Sequence, residues 1–251
     1  MVHIVGAGCG APDLITLRGK RLLEEADVII YAGSLVNKEL LDYAKEGCEI
    51  HDSAKMTLEE TIAVMDAAEK VGKTTVRLHT GDPSLYGAIG EQMRELDRLG
   101  IDYDITPGVS SFAGAAAALK TEYTLPDVSQ TVIISRAAGR TPVPEKESLS
   151  ALAAHGATMV LFLSTGLLDK VTEELTAGGY SLDTPAAIVY KASWDDEKVC
   201  RCNVGTLKQT AEDNGITKTA LITVGRFLES EFTRSKLYDP GFSTEYREAT
   251  K

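Results

Sequence analysis

Short runs of β-branched and aliphatic residues alternate along this chain with longer segments in which apolar positions recur every three or four residues. That alternation predicts an α/β protein, with helices packed on a mostly parallel sheet in the first half. Strands are expected near Val2–Val5, Val28–Tyr31, Glu49–His51, Thr74–Leu78 and Tyr103–Ile105. Helices are expected near Thr16–Ala26, Lys38–Glu46, Thr57–Val71, Leu85–Leu99 and Ser110–Leu119. Gly47, Gly72 and Gly100 each fall just past such a helix, where a left-handed residue closes the last turn.

After Ala115–Leu119 the pattern becomes polar and turn-rich, then resumes with strands near Thr131–Ser135, Met159–Leu163, Ala186–Tyr190, Val199–Asn203 and Leu221–Val224. Helices are expected at Glu145–His155, Leu167–Ala177 and Thr206–Asn214. Adjacent strand runs here imply antiparallel pairing, so this half is expected to hold a mixed sheet. The organisation read from the pattern is an N-terminal domain over 1–117, a C-terminal domain over 118–230 and a polar tail over 231–251. The cleft between two such domains is the natural place for a ligand.

Charge narrows the functions. The chain has 251 residues, with 26 Lys and Arg against 37 Asp and Glu, a net charge of −11. This balance offers no long-range attraction to nucleic acid or to an anionic membrane, so an anionic ligand must meet a local basic cluster. Cys9, Cys48, Cys200 and Cys202 include no C-x-x-C pair, which points to reduced thiols in a cytoplasmic protein and to neither a disulfide framework nor a zinc site. Cys200 and Cys202 share a face of one predicted strand, but two ligands do not hold a metal. The opening MVHIVGAG reads as a strand entering a glycine turn, without the features of a secretion signal. The longest apolar stretch, Met159 to Leu168, is broken by Ser164, Thr165 and Gly166 and is too short to cross a bilayer.

Three glycine-containing turns follow separate predicted strands. Val5-Gly6-Ala7-Gly8-Cys9-Gly10 lets the backbone approach a ligand, but its third glycine comes one position early for a dinucleotide fingerprint. Pro12 follows, and Tyr31-Ala32-Gly33-Ser34 offers no acid for a ribose, so a nicotinamide cofactor is not supported. A tight turn with no ligand explains the glycines alone equally well. His79-Thr80-Gly81-Asp82-Pro83-Ser84-Leu85-Tyr86-Gly87 is the second turn, and its bland reading is a helix start capped by Asp82 with Pro83 in the first turn. Thr106-Pro107-Gly108-Val109-Ser110-Ser111-Phe112-Ala113-Gly114 is the third. Ser110 or Ser111 would cap the alanine-rich helix there, and no nucleophile elbow frames either serine. Ligands of open α/β sheets gather at the carboxyl ends of strands, so these turns can line one crevice.

Taken in order, GAGCGAPDLITLRG, YAGSLV, TGDPSLYG and TPGVSSFAGAAAAL resemble the tetrapyrrole methyltransferase family over residues 2–225. Within it, YAGSLV, Asp52–Glu60 and Ser135–Glu145 are similar to the branch that methylates precorrin-4, or its cobalt complex, at C11 in vitamin B12 synthesis. The resemblance implies a fold of two α/β domains, a homodimer, and S-adenosylmethionine as methyl donor, with S-adenosylhomocysteine as product. It implies a donor site of Gly8, Cys9, Gly81, Asp82, Leu85, Ser110, Ser111, Leu163, Ala187, Thr219 and Ala220. Cys9 departs from the family, which usually has proline there, and puts a thiol near the donor that is expected to be open to oxidation or alkylation. Relatives acting on uroporphyrinogen III carry an acid after the second-strand tyrosine; this chain has Ala32.

A sulfonium methyl is already activated and the ring carbon is electron-rich, so alignment is expected to dominate and no catalytic side chain is assigned, with His79 the one candidate. A substrate with many carboxylates calls for cations: Arg136 and Arg140, flanking a glycine-containing loop, come first, although a solvated loop explains them too. Lys55, Arg77, Lys120 and Lys191 are weaker candidates, because isolated cations are usually surface residues. His79 would face the ligand or be a buried histidine, His3 is expected to be structural, and any cobalt is expected to arrive with the substrate. Rival readings are methylation at a different ring carbon and a non-catalytic module that binds donor or tetrapyrrole.

Overall fold

The computed structural model describes residues 1–229 and 231–250; Ser230 and Lys251, the last positions of the expected second domain and of the tail, lie outside them. By internal contacts the chain forms two units, 1–115 with 191–197, and 116–190 with 198–251.

The first unit holds five strands: β1 (Val2–Gly6), β2 (Val28–Tyr31), β3 (Glu49–Asp52), β4 (Thr75–His79) and β5 (Tyr103–Thr106). They lie in the order β3-β2-β4-β1-β5, and every pairing is parallel. Helices α1 (Leu17–Glu25), α2 (Leu58–Lys70), α3 (Ile89–Leu99) and α4 (Ser111–Leu119) follow β1, β3, β4 and β5. Both faces of the sheet are covered, which is why β2 and β4 are buried at every position. Val5, Val76 and Leu78 pack with Leu22 and Leu23 of α1 on one face, and Ile4, Ile30, Met65 and Leu96 form the core of the other. Local chemistry sets the helix starts. The Thr16 side chain accepts the Gly19 N–H, and Thr57 with Glu60 forms a reciprocal capping box on α2.

Two expected helices differ. The segment from Lys38 is a six-residue 3-10 turn, Lys38–Tyr43, rather than a helix to Glu46. Helix α3 begins at Ile89 instead of Leu85, because Tyr86 and Ala88 stand in left-handed backbone (φ 57° and 50°) and interrupt the helical run.

The second unit holds β6 (Val132–Arg136), β7 (Thr158–Phe162), β8 (Pro185–Tyr190), β9 (Lys198–Asn203) and β10 (Ala220–Val224), in the order β6-β7-β10-β8-β9. Only β6 and β7 pair in parallel; the other three pairings are antiparallel. Helices α5 (Leu149–Ala153), α6 (Leu168–Ala177) and α7 (Leu207–Asp213) cover the core around Met159, Leu161, Ile188 and Ile222. The segment expected to be one helix from Glu145 is a 3-10 turn followed by α5, with Ser148 capping α5. The described tail folds back on itself: Arg247 donates to the carbonyls of Leu237, Asp239 and Phe242. Among the described residues no helix is long and apolar enough to cross a membrane.

Candidate functional site

At the carboxyl edge of the first sheet three turns meet. Chain from β1 leaves toward β2 while chain from β4 crosses to β5, so the gap between β1 and β4 is a topological switch point, where α/β sheets take ligands. Gly8 and Gly81 bridge this gap. Gly81 donates its N–H to the Gly8 carbonyl at 2.8 Å, Gly8 donates in return at 3.3 Å, and Ala7 donates to the His79 carbonyl at 2.7 Å. Both glycines need left-handed backbone (φ 84° and 61°), a conformation glycine adopts without steric cost.

The third turn closes on the first two. A Cβ on Gly6 would stand 2.6 Å from Gly108 Cα, and one on Gly108 would collide with the Gly81 carbonyl. Gly81 itself faces a small space, since a Cβ there would stand 3.5 Å from Ser110 Cα and 3.6 Å from Ser111 N. Asp82 fixes the geometry: one carboxylate oxygen accepts the Gly108 N–H at 2.9 Å and the other accepts the Ser84 N–H, also at 2.9 Å, and the Ser84 hydroxyl. Burial works to raise the Asp82 pKa, but these hydrogen bonds outweigh it and hold the carboxyl below its ordinary 3.8. Asp82 therefore ties turn to turn and does not cap α3, whose start lies seven residues later.

Gly8, Cys9, Gly81, Asp82, Leu85, Ser110 and Ser111 are thus brought to one edge of one sheet. Cys9 is 5% exposed, its Sγ 3.2 Å from Ser193 Oγ; the thiol expected to be open to reagents is instead enclosed. Sequence reasoning missed Ser193 and Trp194, which fold with this unit in the segment joining β8 to β9. The available signal was Trp194 itself, the single tryptophan, set in a polar stretch.

His79 is 4% exposed, and its Nε2 has no partner among the described residues. Burial, then the neighbouring Arg77 charge, lowers its pKa to about 3, so it is neutral at physiological pH. Arg77 leaves the list of substrate cations: it is 6% exposed, with its guanidinium donating to Gln92 Oε1 and the Ile30 carbonyl, both at 3.0 Å. Lys55 is exposed beyond β3 at the same carboxyl edge. His3 bonds Asp104 at 2.8 Å, a structural role as expected. Ala32 offers only a methyl group and donates its N–H to the Leu78 carbonyl at 2.9 Å.

In the second unit, β7 ends where β10 begins because the two run antiparallel, so Leu163, Thr219 and Ala220 share one sheet edge. Leu163 and Thr219 are both left-handed (φ 52° and 59°), strain that a surrounding structure must hold in place. Thr165 Oγ1 donates to the Ala220 carbonyl at 3.1 Å. Ser164 Oγ accepts the Ala137 N–H at 2.8 Å, joining this edge to the loop of Arg136 and Arg140. Arg136 spends its guanidinium on that loop, donating to the Thr141 and Pro142 carbonyls at 3.2 and 2.7 Å, while Arg140 is exposed. Ala187 lies apart, fully buried mid-strand between Thr223 and Arg201. Lys120 also lies apart, in a groove with Phe227 and Leu228 beyond the far end of β10. Lys191 is held by Asp196 at 2.6 Å and sits over the Trp194 ring.

Residues 1–208 match the family model of the Tetrapyrrole (Corrin/Porphyrin) Methylases. The chain belongs to that family. Among its relatives, the cobalt-precorrin-4 C(11)-methyltransferase of Methanocaldococcus jannaschii is 59% identical, over 100% of this chain and 97% of the relative. The X-ray structure of a cobalamin biosynthetic enzyme, cobalt precorrin-4 methyltransferase, superposes with a TM-score of 0.89 at 50% identity, covering 91% of this chain and 95% of that one. A uroporphyrin-III C-methyltransferase from Thermus thermophilus, solved with S-adenosylhomocysteine, gives a TM-score of 0.74 at 26% identity over 91% and 93% of the two chains. The expected tetrapyrrole methylase fold is therefore present, with an all-parallel sheet and a mixed one.

Proposed function

We propose that this chain transfers a methyl group from S-adenosylmethionine to C11 of precorrin-4, free or as its cobalt complex, in cobalamin biosynthesis. The observation that carries this reading is the 59% identity with a cobalt-precorrin-4 C(11)-methyltransferase over the whole chain. That relative and the superposed cobalt precorrin-4 methyltransferase both favour the cobalt form.

This reading puts S-adenosylmethionine at the first-unit edge, supported by the glycine turns that meet there and by the family resemblance. When bound, it supplies a methyl group already activated for attack by the ring carbon. This chain's part is then positioning. Gly8, Cys9, Gly81, Leu85, Ser110 and Ser111 hold the donor, with Asp82 keeping two of the turns in register. Leu163, Thr219 and Ala220 are the second unit's donor residues in this reading, and Arg140 and Lys55 hold substrate carboxylates. His79 supplies no proton, being neutral and enclosed. The enzyme works in the cytoplasm as a homodimer, a reading supported by the acidic balance, the free cysteines and the family resemblance.

The test is incubation with S-adenosylmethionine carrying a labelled methyl group and precorrin-4, with and without cobalt, followed by NMR location of the label. Label at C11 supports the reading, and the better substrate fixes the cobalt state. Label at another carbon discards the C11 assignment, and no transfer with S-adenosylhomocysteine still bound points to a binding module.

A further inference from the structure

The segment from Lys191 to Glu197 joins two strands of the second unit, yet it folds with the first. It is internally braced: Trp194 N donates to the Lys191 carbonyl at 3.0 Å, Glu197 N to the Trp194 carbonyl at 3.0 Å, and Ser193 N to Glu197 Oε2 at 2.6 Å. Ser193 pays for its place with left-handed backbone (φ 67°), uncommon for a residue with a Cβ.

This braced segment grips the turn after β1. Ser193 Oγ accepts the Ala11 N–H at 3.0 Å and lies 3.2 Å from Cys9 Sγ. Trp194 Nε1 donates to the Cys9 carbonyl at 3.2 Å. The Trp194 ring lies so close to Gly10 that a Cβ there would stand 2.6 Å from Nε1. On the other side a Cβ on Gly114 of α4 would stand 2.8 Å from Cys9 Sγ. Proline at position 9 would have no thiol to set beside Ser193.

We propose that Ser193 and Trp194 are positioning residues for the methyl donor, acting through Cys9 and Ala11 to hold the glycine turn in its binding conformation. The inference rests on the reading that this turn holds the donor. Neither side chain is required to touch the donor. A turn held this way keeps its backbone ready, so binding does not have to order it first.

Two variants test it. Trp194→Phe keeps a ring against Gly10 and removes the N–H to Cys9. Ser193→Gly removes the hydroxyl from Cys9 and Ala11, and glycine takes the left-handed backbone without a Cβ clash. In each, Kd for S-adenosylhomocysteine by calorimetry and KM for S-adenosylmethionine are expected to rise about tenfold, equivalent to about 1.4 kcal/mol. The KM for the corrinoid stays at the unmodified value. Unchanged donor affinity in both variants overturns the proposal. So does a rise in corrinoid KM, alone or equal to the rise in donor Kd, which marks a merely structural role. Absence of S-adenosylhomocysteine binding to the unmodified protein instead overturns the donor-site reading.

Discussion

The Asp82 carboxylate accepts the Gly108 N–H at 2.9 Å, joining the turn after β4 to the turn after β5 across the intervening β1. Because its pKa is held below 3.8 by Ser84 and Gly108 against the opposing effect of burial, its stabilising contribution is present above that value. It is lost as pH falls through the lower, folded-state pKa. Asp82→Ala is expected to destabilise by about 1–3 kcal/mol at pH 7, through the unsatisfied Gly108 donor. Urea denaturation should show the gap between variant and parent shrinking below pH 3.8; a gap constant with pH would remove the carboxylate from this role.

Gly81 and Gly108 separate binding from folding. A Cβ on Gly81 meets nothing nearer than 3.5 Å, so Gly81→Ala carries a backbone cost of about 1–2 kcal/mol in left-handed space and, on the proposed reading, disturbs the turn that holds the donor. It is expected to fold, by circular dichroism, and to lose S-adenosylhomocysteine binding. A Cβ on Gly108 collides with the Gly81 carbonyl, so Gly108→Ala is expected to lose thermal stability outright. Calorimetry showing Gly81→Ala binding at parental affinity would move the donor elsewhere.

The strands and the three turns were legible because burial writes itself into β2 as an unbroken apolar run and into the turns as glycine. Less legible was anything set by distant contacts. Arg77 reads as a surface cation, and only the fold shows it spent on Gln92 and Ile30. Asp82 and Pro83 resemble a helix start, yet left-handed Tyr86 and Ala88 delay α3. Ser193 and Trp194 reach Cys9 from 184 and 185 residues away, a pairing that no local pattern encodes.

Arg136 and Arg140 belong to one loop and are expected to behave differently. Arg136 binds the Thr141 and Pro142 carbonyls, so Arg136→Ala should loosen the loop, lowering the melting temperature and raising corrinoid KM together. Arg140 is exposed, and Arg140→Ala should raise corrinoid KM about tenfold, the loss of about 1.4 kcal/mol of substrate binding. Its melting temperature and donor affinity should not move. Steady-state kinetics with an unaltered KM would return Arg140 to a solvated loop.

His79 gives the first unit an acid sensitivity distinct from that of Asp82. Its pKa falls from 6.5 to about 3 on folding, through burial and then the Arg77 charge. Below pH 6.5 the unfolded chain therefore binds a proton that the folded chain refuses, and stability declines as pH drops toward about 3. The slope from this group approaches about 1.4 kcal/mol per pH unit. His79→Leu is expected to remove that component, leaving a flatter stability profile between pH 6.5 and pH 4, measured by urea midpoints. It should produce no loss of a titrating limb in kcat near neutral pH, because the parental histidine is already neutral there. A limb near pH 6.5 that vanishes in His79→Leu would make the imidazole a participant in proton transfer and overturn its assignment as an enclosed, neutral side chain.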